Sequence, residues 1–332
     1  MSVVMGDVFM KLVVKVLVVV VGLVVVGVLG FVYHLNANFP DVGPAPDIQV
    51  AGTPEQIARG RYLANHVTVC IDCHSTRDWE HFAAPPLPGT EGKGGEVFPE
   101  EAGFPGTLIA PNITPVALGA WTDGEIVRAF VSGVNKREDP LFPLMPYPAY
   151  RNLMQEDAHA IVAYLRTLKP IDHMPARSSL VFQMTLIVRT IPEPYIPPQP
   201  VDGTDSAVYG KYLASIAGCA ICHTPQEQGQ PIEGMAFAGG FQFPLPGGTV
   251  VQSANITPDV ETGIGHWQRQ FFIGRFKQFA QEGATQITLQ NGQNTVMPWT
   301  MYAGMTEEDL GAVYDYLKTV TPIRHAVNRF AE

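Results

Sequence analysis

Cysteine is scarce in this chain, which has four in 332 residues, and all four belong to two short motifs. No cysteine is left over for an intrachain disulfide bond, even in an oxidising compartment. None lies directly after the one long apolar run near the N-terminus, which excludes a lipoprotein anchor at the end of that run.

Basic residues are also few. Lys and Arg number 21 against 31 Asp and Glu, so the formal net charge is −10. This balance argues against binding to nucleic acid or docking on anionic lipid, and it permits a partner with a basic face. With 32 Gly and 29 Pro, the globular part is expected to be helical but rich in loops.

The two motifs, at residues 70–74 and 219–223, both read Cys-x-x-Cys-His. This is the attachment signature of c-type haem, in which two thiols bond to the haem vinyl groups and the histidine ligates the iron. We therefore predict two covalently bound haem c groups. Attachment is assigned to Cys70, Cys73, Cys219 and Cys222, and iron ligation to His74 and His223.

A redox dithiol or half of a zinc site would also use Cys-x-x-Cys. Neither requires a histidine directly after the second cysteine, and a thioredoxin-like site would need a βαβ context that is absent around both motifs. Zinc would have to gather ligands from cysteine pairs 149 positions apart (219 minus 70). Haem is the favoured interpretation.

The apolar run covers residues 12–33 and is interrupted only by Lys15. It is long enough to cross a bilayer, which needs about 20 apolar residues. Lys11 and Lys15 lie on its N-terminal side, and no Lys or Arg follows it until Arg59. The positive-inside rule predicts an uncleaved anchor at residues 1–35, with the rest of the chain on the extracytoplasmic side of a bacterial inner membrane.

A cleaved signal peptide is the alternative to this anchor. Its apolar region usually spans about 7–15 residues and precedes a small-x-small cleavage site. The run at 12–33 is longer, and residues 33–38 are a poor cleavage site.

An internal repeat divides the exported part. It predicts one domain at 50–191, a proline-rich linker at 192–204 and a second domain at 205–332. The matched segments are 61–64 with 211–214, 112–115 with 255–258, Trp121 with Trp267, 145–146 with 297–298, and 164–171 with 316–323.

Each haem iron needs a second axial ligand or an open position. Met145 lies 71 residues after His74 and Met297 lies 74 after His223, and each methionine precedes a proline. Because the two occupy matched repeat positions, we predict His/Met ligation of both irons at relatively high potential. The competing methionines, which lack a repeat partner in that context, are Met154, Met174, Met301 and Met305.

Other recurring side chains have weaker assignments. The matched tryptophans could bond a haem propionate or pack on the macrocycle, two arginines are possible propionate partners, and two asparagines are expected to fix a turn. These residues are Trp121, Trp267, Arg128, Arg275, Asn112 and Asn255.

Two further segments have their own expectations. Residues 77–107 are expected to form a surface loop. The apolar stretch 180–191 is expected to be either a packing segment or a helix lying on the bilayer.

The segments 255–259 (Asn-Ile-Thr-Pro-Asp), 262–267 and 297–298 resemble the cytochrome c subunits of bacterial membrane-bound alcohol, aldehyde and gluconate dehydrogenases. The likeness covers about residues 50–325. It implies a mainly α fold of two tandem class I cytochrome c domains behind an N-terminal transmembrane helix. Those subunits typically carry three haems, whereas this chain has two motifs, and the first repeat lacks the Gly-Ile-Gly of residues 263–265.

The predicted function is electron transfer without a substrate of the chain's own. A membrane-anchored dihaem cytochrome would relay electrons between a membrane or periplasmic dehydrogenase, or a quinol-oxidising complex, and a downstream respiratory acceptor. The alternative is a dihaem cytochrome c peroxidase, which needs one iron with a displaceable sixth ligand; the matched Met-Pro loops speak against it. A thiosulfate- or sulfite-oxidising subunit would usually want a cysteine or unusual ligand, and no spare cysteine exists.

Overall fold

The computed structural model describes residues 2–246, 248–289 and 293–331. It begins with helix α1 (Ser2–Asn38). In this described part of the chain, α1 is the one helix whose length and apolar composition would allow it to cross a membrane, over Phe9–Asn38. None of its apolar window is buried in the protein. A signal sequence has the same character. The predicted anchor ended at residue 35, and the helix continues three residues further.

The first half of the globular part is built from short helices. Helix α2 (Pro54–Tyr62) continues directly into a π-helical turn (Leu63–Val67) that leads to the first Cys-x-x-Cys-His motif. The helices are α2 (Pro54–Tyr62), α3 (Cys70–Cys73), α4 (Pro115–Leu118), α5 (Asp123–Ser132), α6 (Tyr147–Tyr150) and α7 (Gln155–Arg166).

A small antiparallel sheet stands beside these helices. Strand β2 (Gly106–Ile109) lies in the middle, paired with β1 (Val97–Phe98) and β3 (Ser179–Leu180). The register places Val97 opposite Ile109 and Gly106 opposite Leu180. The expectation of a plain surface loop over 77–107 was therefore wrong in part, because a distant segment completes this sheet.

The apolar stretch after β3 forms helix α8 (Phe182–Ile187) and a 3₁₀ turn (Val188–Thr190). Val188 is buried, whereas Phe182 and Ile187 are exposed. The stretch is therefore not mainly a core segment. Residues 192–200, predicted as an extended linker, contain neither helix nor strand.

The second half repeats the helical pattern. Its helices are α9 (Ser206–Ile216), α10 (Cys219–His223), α11 (Arg269–Lys277), α12 (Trp299–Tyr302) and α13 (Glu307–Leu317). Its strands are β4 (Gln226–Glu227) and β5 (Gln230–Pro231), which form a hairpin, and β6 (Gln242–Pro244), β7 (Val250–Gln252) and β8 (Phe330–Ala331), which form an antiparallel sheet. The predicted mainly helical fold is confirmed.

The opening and closing helices cross closely in each half. Helix α2 packs on α7, and α9 packs on α13. At the crossings, a Cβ atom on Gly60 would lie 1.8 Å from the Ala160 carbonyl oxygen, and one on Gly210 would lie 1.8 Å from that of Ala312. Only glycine permits backbones to approach so closely. A glycine at the helix crossing in equivalent positions of both halves is further evidence for the internal repeat.

The two halves meet through a reciprocal pair of hydrogen bonds. The Tyr62 hydroxyl donates to Asp309 Oδ2 at 2.5 Å, and the Tyr212 hydroxyl donates to Asp157 Oδ2 at 2.5 Å. Each tyrosine comes from the opening helix of one half and each carboxylate from the closing helix of the other. This is the pattern of a two-fold interface, in which each contact occurs twice.

One apolar cluster also runs through both halves. It includes Leu63 and Ile161 of the first half and Leu213 and Leu310 of the second. The halves are therefore packed against each other, and their division into two domains at 191 and 205 stays a prediction.

Candidate functional site

The first motif begins at a left-handed residue. Val69 has φ 46°, which turns the chain from the π-helical segment into α3. The Cys70 sulfur lies 3.3 Å from the Thr68 hydroxyl, and the motif is largely enclosed by protein. A β-branched residue in this conformation is strained, so the turn is held by the surrounding packing.

The motif histidine has a fixed ring orientation. His74 follows α3 directly and is buried, and its Nδ1 lies 2.7 Å from the Pro111 carbonyl oxygen. A carbonyl can only accept, so Nδ1 carries the proton and the imidazole presents an unprotonated Nε2. This tautomer is the one that a metal-ligating histidine requires.

The second motif has the same geometry. Gly218 supplies the left-handed residue, with φ 69°, at the position equivalent to Val69. His223 Nδ1 lies 2.7 Å from the Ala254 carbonyl oxygen. Both predicted iron-ligating histidines therefore hold the same tautomer by the same kind of contact.

The predicted turn asparagines position the carbonyls that hold the histidines. Pro111 directly precedes Asn112, whose Nδ2 donates to the Ile171 and His173 carbonyls at 2.9 and 2.7 Å. Its Oδ1 accepts from the Thr114 amide. The asparagine thereby ties the loop under the motif to the chain that follows α7.

Ala254 likewise precedes Asn255 in the second half. Asn255 Nδ2 donates to the Ile323 carbonyl at 2.8 Å, and its Oδ1 accepts from the Thr257 amide at 2.9 Å. The role assigned to the two asparagines from the sequence agrees with these contacts.

Two glycines complete the histidine loops and were not singled out from the sequence. The Gly94 amide donates to the His74 carbonyl at 2.8 Å, and the Gly239 amide donates to the His223 carbonyl at 2.7 Å. Both have positive φ, and a Cβ on either would lie 2.4 Å from the backbone carbon of the residue whose carbonyl holds the histidine. Because the two glycines occupy equivalent positions in the repeat, an alignment of the two halves could have identified them.

The predicted methionine ligands occupy matched turns. Met145 and Met297 are partly buried against the apolar core, and the proline after each one caps a short helix, α6 or α12. In each turn the backbone carbonyl of the methionine accepts from the amide two residues later, at 2.7 and 2.8 Å. The local structure is the same twice, and iron ligation by these sulfurs stays a prediction.

Two buried tyrosines lie behind the motifs. The Tyr150 hydroxyl donates to the Thr68 carbonyl, and the Tyr302 hydroxyl donates to the Ala217 carbonyl at 2.9 Å. Burial raises the pKa of each tyrosine well above its usual value, and the nearby motif cysteines raise it further. Tyr302 contributes to raising the pKa of Tyr150 as well.

The surroundings of the cysteines fit haem attachment better than the alternatives. Burial raises the pKa of Cys73 and Cys219 to about 12 and that of Cys222 to about 11, so the free thiols would stay protonated. A reactive dithiol needs the opposite shift. Across the described ranges, no group of three or more His, Cys, Asp or Glu side chains is arranged to hold a metal ion.

The weaker predictions have mixed outcomes. Arg128 is buried, donates to the Asn135 carbonyl at 2.9 Å and has an Nε without a hydrogen-bond partner, whereas Arg275 lies against the Trp299 ring. Trp121 and Trp267 pack against the apolar core. Contacts of these side chains with propionates stay predictions.

Comparison with known proteins agrees with this chemistry. Residues 207–321 match the family model for cytochrome c. The matched part of the second half is thus a cytochrome c domain, which implies covalently bound haem c.

Several curated relatives extend the similarity to most of the chain. It is 28% identical over 302 residues to the cytochrome c subunit of the quinone alcohol dehydrogenase of Gluconacetobacter polyoxogenes, covering 82% of this chain and 58% of the relative. It is 28% identical over 287 residues to the gluconate 2-dehydrogenase cytochrome c subunit of Pantoea cypripedii, covering 80% and 59%. A dihaem cytochrome c-type protein of Cereibacter sphaeroides is 25% identical over 263 residues, covering 76% and 82%. The resemblance to dehydrogenase cytochrome c subunits is confirmed, although the chain spans only about three fifths of the first two relatives.

Proposed function

We propose that this protein is a membrane-anchored dihaem c-type cytochrome that relays electrons from a dehydrogenase or quinol-oxidising complex to a downstream respiratory acceptor. The observation that carries the proposal is the duplicated motif geometry. In each half a Cys-x-x-Cys-His motif ends in a histidine whose Nδ1 donates to a backbone carbonyl, at 2.7 Å in both cases.

Each half has residues suited to holding one haem. The two thiols of a motif would form thioether bonds, the histidine would present Nε2 to the iron, and the methionine of the Met-Pro turn would provide its sulfur as a further ligand. When bound, haem c supplies a one-electron iron couple. Because the chain's own histidine and methionine would both ligate the iron, we assign no substrate and no catalytic residue to the chain itself.

The relay would stay at the membrane through α1. Its apolar side chains are exposed, and Lys11 and Lys15 lie at its N-terminal side. By the positive-inside rule, the globular part would lie on the extracytoplasmic side, where c-type haem is attached. The partner is proposed to be a dehydrogenase subunit because the relatives named above are cytochrome c subunits of such enzymes.

Haem content tests the number of redox centres. Purified full-length protein should contain two haems per chain. Replacing both cysteines of one motif with serine, at Cys70 and Cys73 or at Cys219 and Cys222, should leave one haem in each variant. A wild-type value of one haem would refute the dihaem proposal.

Peroxide turnover separates the relay from an enzyme. The pre-reduced protein should be oxidised by peroxide no faster than free haem is. Turnover well above that rate would favour a dihaem peroxidase instead.

Affinity purification of the full-length protein from native membranes tests the partner. A dehydrogenase or a quinol-oxidising complex should co-purify with it, and the absence of both would count against the proposed partner.

The anchor is tested by replacing residues 1–35 with a cleavable signal peptide. In the same high-salt wash without detergent, the resulting dihaem protein should be released from membranes, whereas the full-length protein should be retained. Release of the full-length protein by salt would contradict anchoring by α1.

A further inference from the structure

Beside the end of α1, the first half exposes an apolar surface formed by Val181, Phe182 and Ile187. We name these three residues the apolar ridge. Phe182 is 66% exposed and Ile187 is 52% exposed, whereas Val188 in the next turn is 2% exposed. The segment is thus attached to the protein on one side and leaves large apolar side chains uncovered on the other. Such surfaces mark sites of contact with protein or membrane.

The ridge is fixed at both ends. Before it, β3 pairs with β2 and so joins the segment to the first half. After it, Arg189 Nη1 donates to the Phe39 carbonyl at 3.0 Å, just beyond the end of α1. Helix α8 also lies against α1, and Leu35 is buried at this end of the long helix.

The length of α1 sets the depth of this contact. The candidate span Phe9–Asn38 has 30 residues, which at the α-helical rise gives roughly 45 Å. A bilayer with its headgroup regions is about 40–45 Å thick. If α1 spans the membrane, its end at Asn38 lies at headgroup level, and α8, which touches that end, lies in the same layer.

The charges of the segment suit that layer. Between Asp172 and Glu193, the segment contains Arg177 and Arg189 and no acidic residue, in a chain whose net charge is −10. Basic side chains beside exposed Phe, Val and Ile are typical of segments that lie in the membrane interface.

We propose that the apolar ridge inserts into the extracytoplasmic interface of the bilayer and gives the protein a second membrane contact. This inference rests on the proposed anchoring by α1. A single spanning helix would leave the globular part free to tilt, whereas two contacts on the first half hold it in one orientation. The second contact would therefore determine which face of the two haem motifs is open to partners.

Lipid photolabelling of the full-length haem protein tests the ridge directly. The protein is reconstituted in phosphatidylcholine vesicles that contain a phosphatidylcholine with a diazirine near the start of its acyl chain. After illumination, peptides are analysed by mass spectrometry. We expect label in α1 and in residues 181–187, about tenfold above that at the comparably exposed Val97 and Val260, because α1 and the ridge would reach the acyl chains and the two valines would not.

Substitutions test whether the label in residues 181–187 depends on the ridge side chains. The double substitution Phe182→Ser and Ile187→Ser should remove most label from 181–187 and leave that in α1 unchanged, whereas the matched Val260→Ser should alter neither. Haem content of each variant verifies folding, and the wild-type pattern is decisive even if the double variant fails to fold.

The outcomes separate the two proposals. Label in α1 with none above background in 181–187 overturns the second contact and leaves the anchor standing. No label in α1 overturns the anchor itself. A ridge that lipid does not label in vesicles but that a co-purified subunit shields from solvent would be a protein interface, which also overturns this inference.

Discussion

Each motif histidine is oriented by a backbone carbonyl rather than by a side chain. Pro111 and Ala254 supply these carbonyls, and an asparagine after each one fixes the loop. Because the acceptor is backbone, the identity of the residue that bears it carries no signal in the sequence. The histidines themselves were identifiable from the motif, and their partners became visible only in the fold.

Substitution of a predicted methionine ligand should affect one haem at a time. Met145→Ala and Met297→Ala should each abolish the methionine-to-iron absorption band of a single haem and lower its potential, because a thioether ligand favours ferrous iron. Absorption spectroscopy with redox titration measures both effects. The matched control is Met174→Ala, since that side chain is exposed. An unaltered band in either variant would remove that methionine from the ligand set.

Gly218 offers a test of backbone strain at the second motif. Its φ is 69°, and a Cβ there would meet nothing nearer than Ile221 Cδ1 at 3.9 Å. Gly218→Ala should therefore cost about 1 kcal/mol of unfolding free energy from conformation alone. Denaturant titration of the haem protein measures this cost. Gly203→Ala, at an open position without positive φ, should be neutral or slightly stabilising, and equal effects at both sites would contradict the strain explanation.

Among the elements, the opening and closing helices were the most predictable part of the fold. Thr53 and Thr306, of a residue type that favours helix N-caps, cap α2 and α13. Apolar residues at helical spacing are buried in the closing helices, such as Ile161 and Leu165 in α7 and Leu310 and Leu317 in α13. These features are local, since caps and stripes depend on neighbours within a few residues. The sheet of β1, β2 and β3 was missed because it joins segments more than 70 residues apart along the chain.

Contacts that cross between elements were equally hidden. Tyr150 and Tyr302 occur at matched repeat positions, yet their place behind the motifs depends on how α6 and α12 fold back. The apolar stretch 180–191 was ambiguous for a related reason: composition shows that a segment is apolar, but its packing partners decide which side chains remain exposed.

The reciprocal tyrosine contacts between helices should differ in strength. Tyr62→Phe removes the hydroxyl that bonds to the largely buried Asp309 carboxylate and should cost about 1.5–3 kcal/mol. Tyr212→Phe should cost less, about 0.5–1.5 kcal/mol, because Arg59 still donates twice to Asp157 at 2.8 Å.

Unfolding by denaturant measures both costs, with Tyr316→Phe as the control because that ring packs on Phe237 within the second half. If Tyr62→Phe lowered the unfolding free energy less than Tyr212→Phe, the ion pair of Arg59 with Asp157 would not compensate for the lost hydroxyl as expected.

At the scale of the whole molecule, the contact between halves should be sensitive to acid. His66 Nδ1 lies 2.9 Å from the Met301 carbonyl oxygen. Burial lowers the pKa of His66 below its usual 6.5; the hydrogen bond to the Met301 carbonyl opposes this shift, and nearby Lys277 adds to it. The folded protein therefore prefers the neutral ring, and the unfolded chain takes up a proton first as the pH falls.

The stability contributed by neutral His66 should be complete above about pH 6.5 and decline as the pH falls toward the folded-state pKa, below which the loss levels off. His66→Gln, which keeps a donor but cannot titrate, should flatten this part of the pH dependence of the unfolding free energy. Histidine titrates over about pH 7 to pH 5. If the unfolding free energy of wild type and variant changed equally with pH in this range, His66 would be excluded as the cause.

The crossed Tyr62–Asp309 and Tyr212–Asp157 bonds have one more consequence for the molecule as a whole. Two copies of a single chain that meet about a two-fold axis are held together by their surface and need no covalent tie. The halves of this protein meet in that manner, so the peptide connecting them raises their effective concentration without being the source of their affinity. A protease site can be placed at Gly203, which is exposed. After cleavage, the two fragments should still elute together in gel filtration. Fragments that separate at once would show that the covalent connection is what keeps the halves paired.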